Sequence, residues 1–598
     1  MSASPALAKV SADEAARLGK DLTKVGAEKA GNADGSIPVH VGKASFTKDM
    51  FELTPQYLED LRIRLLKDIQ KIIADPEALG DILTQSQAVI DAEPNKANAV
   101  IDIIEEMLTS NAELVADFNS VLSGRGTSVE QMIQQVRSRD KKLTELKPDI
   151  TAVVNNFTGN ADWMSKLVSA FDVGNILKIV GIVDDPKTRL IVNDMLMKYM
   201  PPYVKGFLEY KGADGKPVTL DAIKPLYVVT NDNLAEHKDK LSVGHQAMFA
   251  TYPDYKMIVF PSFRNAFFPP EIEEATVKNA TQASLTGTDD VQGAKLGFPF
   301  PIPKSGAEPI WNHRTKWRGN ELIRYNNQMI VQQDGSFKLT KIVEDVKFYY
   351  SQISEGETPE LQPGTDFLRY LSETISPPRI AGTYILVHEK AGFGTEGRAA
   401  WLYAPVLKRI RRAPAVCCDN PYEGTDGHQF YDQVDMYNGV LERFTWKLAG
   451  KREMYIPYNS YKIATPPTTY DDIAAPNHVN VDLPRYELHR VWVVEAENKP
   501  DQRHTFSKRT IYLDEDTWNV VAIDNYDHEG KIMQFQEGHL LTAYNVLASS
   551  TLPEVIYHFN SGRYFVTAMI NEDQPYDLTA TFEDSDFEPN TVQKKASK

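Results

Sequence analysis

Lys508-Arg-Thr-Ile-Tyr-Leu-Asp-Glu-Asp-Thr-Trp-Asn-Val-Val-Ala-Ile-Asp524 reads as two short strands joined by a turn. Thr505–Leu513 and Trp518–Asp524 are rich in β-branched and aromatic residues, and Asp514-Glu-Asp-Thr517 between them has hairpin length. Strands linked this tightly pair antiparallel, because a parallel pair needs a crossover of a dozen residues or more. The same logic runs outward. Asp527-His-Glu-Gly530 and Asn560-Ser-Gly562 are further turns, and Thr383–Glu389, Ala400–Ala404, Tyr486–Glu495, Val555–Phe559 and Tyr564–Ile570 are further strands. In Arg443-Phe-Thr-Trp-Lys-Leu448 the residues Phe444, Trp446 and Leu448 alternate with Arg443, Thr445 and Lys447, which gives a strand one dry and one wet face. From about residue 220 onward the chain therefore reads as antiparallel β.

The stretch from about residue 44 to 210 carries a different period. Thr54-Pro55 is a helix start, followed by Leu58, Leu61, Leu65, Ile69, Ile72 and Ile73 on one face. A second run from Val100 to Leu122 is closed by Gly124-Arg-Gly126, and a third holds Val129, Met132, Ile133 and Val136. With Trp163–Phe171 and Pro186–Met200 this suggests a bundle of about six helices. Ahead of it, Ser11 and Glu14 have the spacing of a capping box opening a helix over Ser11–Leu22.

The chain has 598 residues, 42% apolar and 25% charged, with 65 basic and 82 acidic side chains and a net charge of −17. That is a globular composition and a poor one for a general nucleic-acid binder. Cys417 and Cys418 are the two cysteines, too few for a disulfide scaffold or a four-cysteine zinc site; as neighbours they are expected to be free, partly buried thiols. Leu167–Val183 is broken by Asp172 and Lys178 and does not read as a bilayer span. Ala6-Leu-Ala8 fits the small-x-small rule of signal peptidase, so residues 1–8 are read as the remnant of a cleavage region and the protein as exported.

Chemistry-bearing motifs are sparse. Gly392-Phe-Gly-Thr-Glu-Gly397 matches a dinucleotide fingerprint in spelling, but a strand follows it where a helix is needed, so it reads as a hairpin loop. No histidine pair has metalloprotease spacing; His489 and His504 read as hydrogen-bonded structural side chains. Glu423/Asp426 and Asp432/Asp435 lie among loop residues. No catalytic residue, metal site or cofactor is expected.

Two features remain. Tyr384, Trp401, Tyr403, Phe444, Trp446 and Trp492 all fall on strands, and an incompletely filled curved sheet would present them to an apolar ligand. Lys408-Arg-Ile-Arg-Arg412 is strongly basic in an acidic chain. If it is a strand, Arg409 and Arg411 share one face and Lys408, Ile410 and Arg412 the other, facing anionic lipid, an acidic partner or simply solvent.

Longer stretches carry a resemblance. Lys9-Val-Ser-Ala-Asp-Glu14 with Gly26–Pro38, Gly297-Phe-Pro-Phe-Pro-Ile-Pro303 with Trp311-Asn-His313, Trp401-Leu-Tyr-Ala-Pro405, Asp435-Met-Tyr-Asn-Gly439, Tyr455-Ile-Pro-Tyr-Asn-Ser-Tyr461, Tyr486–Val494 and Lys508–Gly530 resemble the exported proteobacterial family called domain of unknown function 1329. That family is similar to the LolA/LolB lipoprotein carriers. The resemblance spans residues 9–43 and about 220–589, and residues 44–210 are an insertion the usual member lacks. It implies an α+β fold: a LolA-like curved antiparallel sheet, a half-barrel around helices, formed by residues 9–43 and 220–598, with an inserted all-α bundle. It further implies a non-catalytic periplasmic protein, without a cofactor, that binds and transfers a lipid or other hydrophobic molecule, with an envelope transporter and peripheral membrane contact as candidate partners and no nucleic acid. The alternatives are an interaction subunit of an envelope transport complex and a periplasmic hydrolase. The crowded apolar residues of 163–200 suggest a lid or docking surface at the mouth of the sheet.

Overall fold

The computed structural model describes residues 10–40, 83–84, 87, 90–91, 94–157, 225–353, 358–392, 397–465, 468–543, 547–574, 576–578 and 580–597. The chain divides into two compact units, one of Met1–Ala44 with Pro202–Lys598 and one of Ser45–Pro201.

The larger unit is built on β1 (Tyr227–Val229), β2 (Met257–Phe260), β3 (Ser284–Thr286), β4 (Asp290–Gln292), β5 (Glu321–Tyr325), β6 (Asn327–Val331), β7 (Phe337–Phe348), β8 (Asp366–Ser376), β9 (Tyr384–Lys390), β10 (Arg398–Ala404), β11 (Arg409–Arg412), β12 (Phe444–Pro457), β13 (Tyr486–Asn498), β14 (Lys508–Asp514), β15 (Val520–Tyr526), β16 (Ile532–Ala543), β17 (Ala548–His558) and β18 (Arg563–Met569). Sixteen of them form one open, curved sheet in the order β1-β2-β13-β14-β15-β16-β17-β18-β6-β7-β8-β9-β10-β11, with β12 beside β13 and β5 beside β7; β3 and β4 make a separate hairpin. The fold is α+β, with the expected hairpins in place. Leu513 faces Val520 across the Asp514–Thr517 turn, and β15–β16 and β17–β18 pair antiparallel. The Gly392–Gly397 stretch lies between the antiparallel neighbours β9 and β10, so no helix follows it. One pair departs from the antiparallel rule: β2 runs parallel to β13.

The central strands are dry on both faces. In β14, Tyr512 packs into one apolar cluster and Ile511 and Leu513 into another. β15 repeats this, with Val521 in the first cluster and Val520 and Ile523 in the second. Each fully buried side chain of this kind stabilises the fold by roughly 1.5–3 kcal/mol. The helix Val243–Thr251 covers the first face. Its N-terminus sits on Asp524 of β15, which accepts from the Val243 and Gly244 N–H groups at 3.1 and 2.8 Å and from the Ser242 hydroxyl at 3.1 Å. A carboxylate there satisfies orphan donors and complements the helix dipole. Gly244 is required by the closeness of the contact, since a Cβ would lie 2.1 Å from Phe535 Cδ2. The second face is covered by the helix Ala307–Arg314, by the β3–β4 hairpin, and by Met436, Tyr437 and Leu441.

Several expectations are corrected here. The capping box at Ser11 and Glu14 is present, but the helix spans only Ala12–Ala15; Gly19 then takes φ +82° and Leu18 and Leu22 turn onto Ala280 and Val277 instead of continuing a spiral. Helices also punctuate the β region at Pro270–Gln282, Ala307–Arg314 and Pro589–Ala596. Cys417 and Cys418 are joined in a disulfide and are not free thiols.

Residues 10–40 strap the sheet. Trp518 Nε1 donates to Val25 O at 2.9 Å, and Arg490 donates to the carbonyls of Glu28 and Ala30. In the smaller unit the helices Pro94–Thr109, Ala112–Leu122, Val129–Arg137 and Lys147–Phe157 are described. The run from Val100 to Leu122 breaks at Asn111, and Gly126 ends it at φ +73°. Ser128 caps the third helix by accepting from Gln131 N–H, and Pro148 sits in the first turn of the fourth. The helices expected from Leu58 to Ile73, over 163–171 and over 186–200 lie outside the described residues.

Gly26 carries the strap past Pro301 at φ +101°, and a Cβ there would lie 1.9 Å from Pro301 O. Gly26→Ala should therefore destabilise the sheet unit by about 3 kcal/mol or more, through backbone strain and overlap together. Gly530→Ala, at φ +77° with open space around it, should cost only about 1 kcal/mol. Thermal melts of the two purified variants check this; equal melting temperatures would refute the close-approach argument.

Candidate functional site

The six strand aromatics fall into two groups. Tyr384 of β9 and Trp401 and Tyr403 of β10 meet in one cluster with Phe587 and Val592, so the C-terminal segment lies over them. Tyr384 and Tyr403 pack edge to face at 6.1 Å, and the Arg412 guanidinium stands 4.8 Å from the Trp401 ring centre. Phe444, Trp446 and Trp492 lie elsewhere, on β12 and β13. Trp446 packs against Tyr437, and Trp492 stacks on Trp518 at 6.0 Å with Lys451 Nζ over its ring. Tyr384, Tyr403 and Phe444 are buried, whereas Trp401, Trp446 and Trp492 are half-buried. Alternation places Trp401 with Tyr403, and Phe444 with Trp446, on shared faces, and the structure keeps both pairings; the two groups belong to different clusters.

Of the titratable groups singled out by sequence, His489, His504 and Asp432 are bound into buried networks, whereas Glu423 and Asp426 are exposed. His489 Nε2 lies 3.1 Å from Glu487, which also accepts from Arg485. His504 and Arg509 converge on Asp432 at 2.9 and 2.7 Å. Arg509 holds the Asp432 carboxyl below the usual range despite burial. His489, Asp514 and Asp516 bring donor atoms within 4.8 Å of one another, a separation suited to a cation. Arg264, however, already engages both Asp516 oxygens at 2.9 and 2.6 Å and keeps that carboxyl ionised.

A second centre escaped the sequence reading. Asp435 accepts from Lys316 Nζ at 2.8 Å and from Arg318 at 2.6 Å, and Glu554 lies beside them, accepting from the Met436 N–H at 3.1 Å. Asp435, Met436 and Ala568 all have positive φ, a clustering of backbone strain. Arg318, Arg324, Glu344, Asp435, Glu554 and the buried, unpaired Gln328 Oε1 border a cavity of about 30 Å³, the size of a water site. Burial and the Asp435 charge push Glu554 up to about 8, while burial and Arg318 bring Lys316 down to about 8.

A large apolar space lies in the smaller unit. A cavity of about 360 Å³ lies between its helices, and the fourteen described residues that line it are all apolar, among them Ile104, Leu108, Phe118, Met132, Leu146 and Val153. Twelve come from the apolar stripes of the four helices and two, Leu143 and Leu146, from the short turn Leu143–Leu146, so the cavity is a seam where these stripes meet. Its volume falls within the range of small-molecule sites.

These features define a mixed α+β protein with an open antiparallel sheet and a separate helical unit. The profile of the family described as "Protein of unknown function (DUF1329)" matches residues 228–593, and the chain belongs to that family. It is 40% identical over 375 residues to the uncharacterized protein PA3922 of Pseudomonas aeruginosa, covering 62% of this chain and 82% of that one. Solved structures similar to it include a putative outer membrane lipoprotein-sorting protein domain from Vibrio parahaemolyticus, at 15% identity and TM-score 0.33 over 48% of this chain and 98% of that chain. A DUF1329 family protein from Desulfovibrio piger matches at 12% identity and TM-score 0.31, over 46% and 92%. A LolA superfamily protein from Nitrosomonas europaea matches at 10% identity and TM-score 0.29, over 48% and 98%. The helical unit lies outside the segment that the family profile matches.

The Glu554 carboxyl sets a pH dependence. Its folded pKa is raised, so the folded chain holds a proton there that an unfolded chain has released, and stability falls as pH rises from about 4.5 to about 8. Glu554→Gln removes this loss. Relative to the parent, the variant should become progressively more stable across that window, by on the order of a few kcal/mol at its upper end. Urea melts at a series of pH values check it; a constant difference would show that Glu554 is ionised throughout.

Proposed function

We propose that this protein is a non-catalytic carrier that binds a lipid or other hydrophobic molecule in the periplasm and passes it on within the cell envelope, with an envelope transporter as a partner. The observation that carries this reading is the apolar cavity of about 360 Å³ in the helical unit. An acyl chain or similar tail in water costs roughly 25 cal/mol for each Å² of apolar surface, and a lining of aliphatic and aromatic groups removes that cost without demanding a polar partner. The half-buried Trp401 with Tyr384 and Tyr403, and the half-buried Trp446 and Trp492 with Phe444, are two further candidate contact surfaces on the sheet. Two further points support the reading. Several buried acids of the sheet unit are neutralised by basic partners, as Asp432 is by Arg509 and Glu389 by Arg314 and Arg398. The Cys417–Cys418 disulfide suits an oxidising compartment.

The test is binding of a fluorescent dansyl fatty acid, together with native mass spectrometry of the gently purified protein. Saturable binding, displaced by lipid extract, is expected. Leu108→Trp and Met132→Trp fill the helical cavity and should weaken binding about tenfold or more, the loss of roughly 1.4 kcal/mol. Trp401→Glu and Trp446→Glu should have that effect instead if the ligand lies on the sheet. A protein that carries no hydrophobic molecule and binds no probe would overturn the proposal.

A further inference from the structure

The far edge of the sheet ends in β11, and the turn from β10 into β11 is the most exposed apolar point among the described residues. Val406 is 91% exposed and Leu407 beside it 50%. Ile375, at the end of β8, is 46% exposed. The β8–β9 turn and the β10–β11 turn adjoin, because a Cβ on Gly382 would lie 3.4 Å from Pro405 Cγ. Isolated surface apolar residues need no explanation, but here they crown two neighbouring hairpin tips.

Charge along the β10–β11 tip is of one sign, although the acidic Glu423 and Asp426 flank Gly424, which abuts Ile380 in the β8–β9 turn. Lys408, Arg409, Arg411 and Arg412 are all exposed, as is Arg379 in the neighbouring turn. From Ala399 to Cys418 the sequence holds no acidic residue, in a chain whose net charge is −17. Among the described residues no ion pair to Lys408, Arg409, Arg411 or Arg412 is seen; Arg412 rests on the Trp401 ring instead. β11 is a strand, and its register against β10 puts Arg409 and Arg411 on one face and Ile410 and Arg412 on the other, so the tip carries cations on both sides.

Protection of a sheet edge is the ordinary use of such charges. Here the edge is already covered. Gln593 of the C-terminal helix accepts from the outward N–H of Ile410 at 2.7 Å and donates to Lys408 O at 3.3 Å, standing in for a further strand. That contact also disfavours a partner that would add a strand. A flat surface of negative charge over a hydrocarbon interior fits better: cations for its headgroups, and Val406 and Leu407 for the region just beneath.

We propose that the paired tips around Val406 and Leu407 dock the protein onto anionic phospholipid bilayers. The inference stands on this edge alone and is independent of the carrier reading. The probe is the full chain with phosphatidylglycerol-containing vesicles, set against pure phosphatidylcholine vesicles, in a sedimentation assay. Binding should require phosphatidylglycerol and weaken at high salt. Val406→Asp with Leu407→Asp should reduce it about tenfold or more, as should Lys408→Gln with Arg409→Gln and Arg411→Gln. All these side chains are exposed, so melting temperatures should match the parent. Val406→Trp provides a direct reporter, and its emission should shift to the blue only with phosphatidylglycerol vesicles. Absence of vesicle binding, or equal binding by the Asp variant, overturns the proposal. Loss of binding in the Gln variant alone, without a blue shift of the Trp reporter, would mean a purely ionic surface suited to an acidic protein and would equally overturn insertion into lipid.

Discussion

The dryness of both faces of the central strands is the constraint on which the rest of the structure depends. A strand buried on one side can send every second residue to water, but β14 to β18 cannot, and their polar residues must find partners inside. Asp524 finds one at a helix N-terminus and Glu537 in His245 and Tyr486, and on the neighbouring β13 Glu487 finds Arg485, His489 and Asn459. Gln433 bridges Gln534 and Gln536, and Asn525 also donates to Gln536. Each link costs desolvation, and each ties a covering segment to a particular strand. The ion pairs therefore contribute more to the registry of helix, loop and strap on the sheet than to net stability.

The same constraint decides how much was legible in the sequence. The hairpins around β14, β15 and β18 were readable because their turns are polar and short and their strands rich in β-branched and aromatic residues. β7 was not. Its burial alternates strictly, yet one inward position is Glu344, paired with Arg324, Asn326 and Tyr370. A buried acid looks exposed to any pattern of apolar residues. The helix Pro270–Gln282 was missed for a related reason, since its inward face includes Thr276 and Asn279, which bond to the backbone around Phe298. The parallel β2–β13 pair joins residues over two hundred positions apart, and no local signal announces it.

Aromatic placement shows a second limit. Alternation in β10 and β12 correctly groups Trp401 with Tyr403 and Phe444 with Trp446, because side-chain period is a local property. Which face is covered is decided by distant chain. The segment from Phe582 to Ala596 lies on the Trp401 cluster, and Tyr437 with Leu441 lies against Trp446. The apolar stripes of the inserted helices were equally readable, whereas the space left where they converge depends on the volumes of side chains from four helices at once.

That space also bears on how the two units divide their labour. In the family-matched segment, Arg318, Asp435 and Glu554 border a space of about 30 Å³, the size of a water site. The apolar space of about 360 Å³ in the helical unit is partly open, since Ile104 on its wall is 40% exposed, and keeping such a surface in water carries a hydrophobic cost. Occupation by an apolar molecule removes that cost and couples ligand affinity to the stability of the helices, since a ligand that binds only the folded form stabilises it by mass action. The apolar lining thus gives the helical unit a physical reason to hold an apolar molecule.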